Sequence, residues 1–377
     1  MHVSSPRLAV SAAFALNGAL LGAWAARVPA VVDRFALSEA ALGLLLLGLG
    51  LGALASFPLA GRGADRHGAY GVTCVLAVVY ALGLLAVGLA PTVPLLAVAL
   101  VFFGAGHGAM DVTMNAWAAE VERHAGKSIM PSFHAMWSLG AGVGAAGGWY
   151  AVRTDLGLGA HFVATGVLCV AVFGPLMMTR WTSDTTKGGQ AGLFTLPKGP
   201  LIAVGLIALC GGTGEGAVVD WSALYLTEVV GTSAARGALG FAVFSVTMVA
   251  MRLSVGRLIT RYGAVAVARG SGLSAAAGVA CLMISPGFGT AMLGYVLMGM
   301  GYAAIIPLAI SRAAADPHIP PGQAIASVAT LGYGAMLLGP PSIGFLAEAW
   351  GLRLAFGLVG TLAICVIVAA GALRTGR

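Results

Sequence analysis

Apolar stretches long enough to cross a bilayer recur along nearly the whole chain, and the short segments between them carry most of the charge. They fall at roughly 8–30, 38–60, 69–90, 94–118, 131–152, 159–179, 200–227, 235–256, 264–284, 288–311, 323–347 and 353–373. This pattern predicts an all-α integral membrane protein with 12 transmembrane helices. One longer polar interruption, holding Thr182, Ser183, Asp184, Thr185, Thr186 and Lys187, divides six spans from six. The expected domains are an N-terminal six-helix bundle over 1–180, a cytoplasmic linker over 181–198 and a C-terminal six-helix bundle over 199–377. The first thirty residues have the outline of a secretory leader: Arg7, an apolar stretch, then Ala23-Trp24-Ala25-Ala26. The stretch is long enough to span and has a counterpart in the second half, so it is read as the first helix.

Composition strengthens this picture. Of 377 residues 59% are hydrophobic and 9% charged, where a soluble chain carries about 25% charge. The 57 glycines suit close helix approach in lipid. A net charge of +7 raises the question of nucleic acid, but the basic residues lie singly between apolar runs rather than clustered on one face, so no nucleic-acid partner is expected. They sort instead by side of the membrane. With both termini cytoplasmic, the outer side holds Arg27, Arg34, Arg153, Arg236 and Arg353, and the other 15 of the 20 Lys and Arg face inward. The expected location is the cytoplasmic (inner) membrane. The five cysteines each sit alone in an apolar run, which argues against disulfides and metal ligation.

The two halves also repeat. Gly61-Arg62 and Arg66-His67-Gly68 recur as Gly256-Arg257 and Arg261-Tyr262-Gly263, an offset of 195. At that offset Gly104-Ala105-Gly106 matches Gly299-Met300-Gly301, while Trp24 and Gly43 match Trp221 and Gly240 at 197. Parallel six-span repeats are one of the two repeat architectures of secondary transporters.

Three resemblances follow from the residues. Gly61-Arg62-Gly63-Ala64-Asp65-Arg66-His67-Gly68 resembles the loop 2–3 signature of the major facilitator superfamily, Gly-x-x-x-Asp-Arg-x-Gly, with Ala69 and Tyr70 where basic residues are usual. The likeness implies the major facilitator fold over the whole chain and assigns Asp65 and Arg66 to gating. Gly106-His107-Gly108-Ala109-Met110-Asp111-Val112-Thr113-Met114-Asn115 is similar to the acidic fourth-helix motif of the fucose–proton symporter branch. With Pro131-Ser132-Phe133-His134-Ala135-Met136-Trp137 it also resembles the group around the rhizopine-associated membrane protein.

An ionisable group inside a span is costly unless solvated or paired, so each is read first as functional. His107, Asp111 and Asn115 follow i, i+4, i+8 and share one face of the fourth span, which argues that this face lines a cavity. The fucose-branch likeness makes Asp111 the proton-coupling acid; the alternative is a structural pair with His107 or a hydrogen bond to a neighbouring helix. In the seventh span Glu215 lies within Gly211-Gly212-Thr213-Gly214-Glu215-Gly216, whose glycines are expected to soften the helix. Glu215 is read either as a proton or substrate group or as half of a salt bridge. Asp220 is read as an outer-gate group or interhelix contact, with Trp221 and Tyr225 beside it as substrate contacts. Arg27, followed by Pro29, either snorkels or pairs with Asp220 or Glu215 as a gate. Asn17 and Asn115 are hydrogen-bonding candidates for a solute. His134, Trp137 and Ser138 share one face of the fifth span, where aromatic and polar groups suit a ring-shaped ligand or simply pack. Arg252 is expected to snorkel.

The chain has no Gly-x-x-x-x-Gly-Lys-Ser/Thr loop and no His-Glu-x-x-His or Cys/His cluster, so neither ATP drive, metal, cofactor nor enzymatic activity is expected. The expected function is a monomeric, proton-coupled secondary transporter in the bilayer that moves a small polar, sugar- or cyclitol-like molecule by alternating access. Efflux of an amphipathic metabolite by proton antiport is the alternative, a non-transporting solute sensor is the rival from another class, and a membrane enzyme stands third.

Overall fold

A computed structural model describes residues 5–126, 129–185, 196–284, 287–319 and 321–374. Lys127, Lys187 and Arg377 of the charge asymmetry, and 186–195 of the expected linker, lie outside them. Among the described residues the chain is helical and contains no strand. Its helices are α1 (Pro6–Ala25), α2 (Val28–Phe35), α3 (Glu39–His67), α4 (Ala69–Leu89), α5 (Val93–Ala125), α6 (Met130–Arg153) and α7 (Leu158–Met177). They continue with α8 (Leu201–Leu224), α9 (Ala234–Gly237), α10 (Leu239–Tyr262), α11 (Ala264–Ile284), α12 (Phe288–Tyr302), α13 (Ile305–Ala314), α14 (Pro321–Trp350) and α15 (Leu352–Ala369). Among the described residues, ten helical stretches are long and apolar enough to cross a membrane. Outside those ten, α6 has 24 residues and α14 has 30, where the sequence places its fifth and eleventh spans.

Three expected continuous spans are broken among the described residues: the eighth at Ala238, between α9 and α10, and the first and tenth each for a local reason. The first divides at Ala26–Arg27, and α2 begins with Pro29 in its first turn, where the missing N–H costs nothing. The tenth divides at Ala303–Ala304. Pro307 accounts for this, since its ring clashes with the carbonyl four residues back, that of Ala303. The residues resembling the loop 2–3 signature are not a loop. They form the last turns of α3, and only Gly68 leaves the helix, at φ +87°. Gly263 ends α10 at φ +81°, so the two glycines that match in sequence also match in backbone. Arg66 and His67 sit in the last turn of α3, where positive charge complements the helix dipole.

The chain forms two compact units. One comprises 1–37, 48–191 and 234–242, the other 38–47, 192–233 and 243–377. The first unit is held by an unusually close pairing of α1 with α6. A Cβ on Gly18 or Gly22 would strike the backbone of Trp137 or Ala141, and one on Gly140 or Gly144 the carbonyl of Ala15 or Ala19. In lipid such small-residue faces supply the packing that apolar burial cannot. The segment after α7 is also tied into this unit. Trp181 Nε1 donates to Glu120 at 2.8 Å, Tyr70 N donates to Ser183 Oγ at 3.0 Å, and Arg123 pairs with Asp184 at 3.0 Å.

The sequence repeat extends to the packing of each unit taken separately. Gly104 lies against the backbone of Leu49 and Gly299 against that of Phe244; Gly106 lies against Tyr80 and Gly301 against Ala275. Each of these partners is also 195 positions from its counterpart.

Candidate functional site

In the first unit the polar stripe of α5 is partly enclosed. Asn115 Nδ2 donates to the Asp111 carbonyl at 2.9 Å and to Asp111 Oδ1 at 3.2 Å. The carboxylate therefore meets a neutral amide, and it forms no ion pair among the described residues. The alternative pairing of Asp111 with His107 is not formed: His107 Nδ1 is buried without a hydrogen-bond partner. Its ring stands 5.4 Å from that of Tyr80 on α4, whose hydroxyl is also buried and unpartnered. About two turns of helix bring His107, Asp111 and Asn115 into line, as their spacing requires.

A second cluster joins α1 and α6. Trp137 Nε1 donates to Asn17 Oδ1 at 2.8 Å, leaving Asn17 Nδ2 buried with its hydrogens unused. Phe14 lies edge-on to His134 at 5.2 Å and stacks on Phe133 at 5.8 Å. Ser138 Oγ donates back to the His134 carbonyl at 3.3 Å and is buried. The structure thus joins Asn17 with Trp137, and Asp111 with Asn115, in one unit.

The second unit corrects several expectations. The glycines of α8 do not break it; the helix runs unbroken from Leu201 to Leu224. They are there for close approach: a Cβ on Gly211 would meet Ile305, and one on Gly214 the ring of Tyr302. The irregularity comes later, as a π-helical turn over Tyr225–Val229. Arg252 does not snorkel. Its guanidinium lies 3.3 Å from Glu215 Oε1 with both side chains largely buried, so Glu215 is a salt-bridge partner in this structure. Trp221 and Tyr225, expected to meet solute, are fully enclosed, and the Tyr225 hydroxyl donates to the Leu282 carbonyl at 2.5 Å. Both rings fill the packing around α8 within this unit. Asp220, one residue from Trp221, has no hydrogen-bond or ion-pair partner among the described residues.

Arg27 does not snorkel, and within its own unit it forms no ion pair among the described residues. It is buried at the α1–α2 break, and both terminal nitrogens donate to the Leu156 carbonyl at 3.2 Å. Of the signature pair, Arg66 is exposed and Asp65 half-buried at the end of α3. No group of three or more His, Cys, Asp or Glu able to hold a metal occurs among the described residues.

Sequence reasoning missed Tyr80, Tyr302, Phe14 and the Arg252 pairing. Tyr302 was within reach, because it stands 195 positions after His107 in the repeat. Tyr80 and Phe14 carry no such signal; they are ordinary aromatics until the fold sets them against His107 and His134.

The family model of the Major Facilitator Superfamily matches residues 8–320. The chain belongs to this superfamily. It is 50% identical to the uncharacterized transporter y4wD of Sinorhizobium fredii over 372 residues, covering 98% of both chains. It is 32% identical to the membrane protein MosC of Rhizobium meliloti over 367 residues, 96% of this chain and 88% of that one. Among solved structures, the nucleoside transporter NupG aligns with a TM-score of 0.75 at 13% identity, covering 99% of this chain and all of the other. The D-xylose–proton symporter aligns with a TM-score of 0.75 at 15% identity, covering 99% and 98%. The protein is a multi-pass integral membrane transporter with the major facilitator fold.

Proposed function

We propose that this transporter is driven by protons and moves a small polar, uncharged solute, sugar- or cyclitol-like, by alternating access. It is placed in the cytoplasmic membrane with both termini inside, as the basic-residue asymmetry favours. The observation that carries the coupling is the contrast between Glu215 and Asp111; Asp220 also lacks a cation, but Gly216, Ala217, Ala223 and Leu224 leave it no polar neighbour on its helix face. Glu215 is neutralised by Arg252, whereas Asp111 meets only the Asn115 amide. A carboxylate held in a span without a cation is costly when ionised, so binding a proton removes the charge that opposes a conformational change.

In this reading Asp111 carries the proton, Asn115 orients the carboxylate and His107 offers an unfilled ring nitrogen beside it. Asn17, Trp137 and His134 supply the hydrogen-bonding and aromatic groups that a hydroxylated ring requires. Asp65 and Arg66 act at the gate. Of the structural neighbours, one is a nucleoside transporter and one a D-xylose–proton symporter; the solute class here rests on this chain's residues, and those proteins share its fold.

The test uses purified protein in proteoliposomes loaded with a pH-sensitive dye and offered pentoses, hexoses and inositols one at a time. A member of the panel should drive proton movement in wild type, and Asp111→Asn should abolish it. Proton-linked accumulation that survives Asp111→Asn would remove Asp111 from this role, and inertness to the whole panel would remove the solute class.

A further inference from the structure

We infer that the second unit carries a site for an anionic phospholipid, with an acyl chain between α10 and α11 and the phosphate on Arg261 and Arg269. A groove of about 360 Å³ runs along these helices, walled by Met251 and Tyr262 on α10, Ala266, Gly270 and Ser271 on α11, and Met300 on α12. Such a volume lies within the range of small-molecule sites, about 300–1,000 Å³. Met251 and Tyr262 are eleven residues apart, so the groove extends about 16 Å along the helix axis, long enough for most of an acyl chain. Its walls are almost wholly apolar, and Tyr262 and Met300 remain substantially exposed. The groove therefore opens outward from the helix bundle.

Its two polar features are placed for a lipid. Ser271 is 4% exposed, lines the groove, and its hydroxyl has no hydrogen-bond partner. It lies about 3 Å further along α11 than Arg269. The neighbouring Ser274 differs, because its hydroxyl is already given to the Leu297 carbonyl at 2.8 Å.

At the mouth, Arg261 lies over the Tyr262 ring at 5.2 Å, and Arg269 directly precedes Gly270 in the wall. Both arginines are exposed, and neither has a carboxylate partner among the described residues. The sequence of α10 and α11 contains no Asp or Glu. An apolar channel with an unneutralised basic rim matches a phosphodiester headgroup on an acyl chain, and a zwitterionic lipid matches it less well.

The experiment exposes full-length protein in detergent to equal amounts of phosphatidylglycerol and phosphatidylcholine, then counts retained lipids by native mass spectrometry. Wild type should retain phosphatidylglycerol preferentially. Arg261→Gln with Arg269→Gln should weaken that retention by about tenfold. Ala266→Trp, at an exposed position, should block the groove and remove the preference with the charges intact. Glycerol phosphate, the headgroup without a chain, should fail to displace the lipid. Equal retention of the two lipids overturns the inference, as does retention unchanged by Ala266→Trp or full displacement by glycerol phosphate.

Discussion

The acids of this protein are not equivalent, and the difference is set by what each side chain touches. Glu215 and Arg252 form a largely buried ion pair. Removing one partner strands the other, at a cost of about 3 kcal/mol, whereas removing both avoids that penalty. Glu215→Gln and Arg252→Gln should therefore each lower the melting temperature in detergent, and the double variant should melt above either single one. Singles that melt like wild type would show the pair to be idle. Asp111→Asn has the opposite signature: it removes a charge that no cation balances, so melting should hold or rise while proton coupling is lost. Part of this was legible from spacing. An i, i+4 relation is enough to place Asn115 on Asp111. It says nothing about Glu215 and Arg252, which are 37 residues apart and meet only when α8 and α10 fold together. Nor does it show that Trp221 and Tyr225 face inward, because an aromatic beside an acid reads alike whether it packs or binds.

At the level of the helices, glycine is used in two separable ways. On α1 and α6 it makes room: Gly18 and Gly144 each face a carbonyl of the other helix. Gly18→Leu or Gly144→Leu should force the helices apart and cut folded yield sharply, measured by size-exclusion recovery after solubilisation. The same change at Gly147, which has open space around it, should be tolerated. On α3 and α10 glycine supplies conformation instead. Gly68 and Gly263 lie at φ +87° and +81°, a region that costs other residues about 1–3 kcal/mol. Gly263→Ala should lower the melting temperature through backbone strain alone, since nothing lies near its Cβ. Helix existence was readable from apolar run length. Breaks were less so: Pro307 announces one, but the π-helical turn after Leu224 has no comparable marker, and the glycines of α8 suggested a weakness that packing removes.

For the molecule as a whole, length and composition were enough to call for a helical membrane protein, and the repeat was enough to call for a duplicated one. What the letters did not reveal is that the repeat is a packing repeat. Leu49 and Phe244 are different side chains, yet each presents its backbone to the equivalent glycine, Gly104 or Gly299. A backbone contact can be inherited while the side chain above it drifts, which is why these glycines stayed visible and their partners did not.

That inheritance should leave a trace in mutational tolerance. If every single substitution were scored for folded expression, the scores along the chain should correlate with themselves at a lag of 195 positions. The correlation should be strongest at the glycines and absent at His107 with Tyr302 and Asp111 with Ile306, where the two copies have diverged. Scored for transport instead, those divergent pairs should be the most lopsided in the protein. A duplicated scaffold would then report its own specialisation as the positions where its two memories of one ancestor disagree.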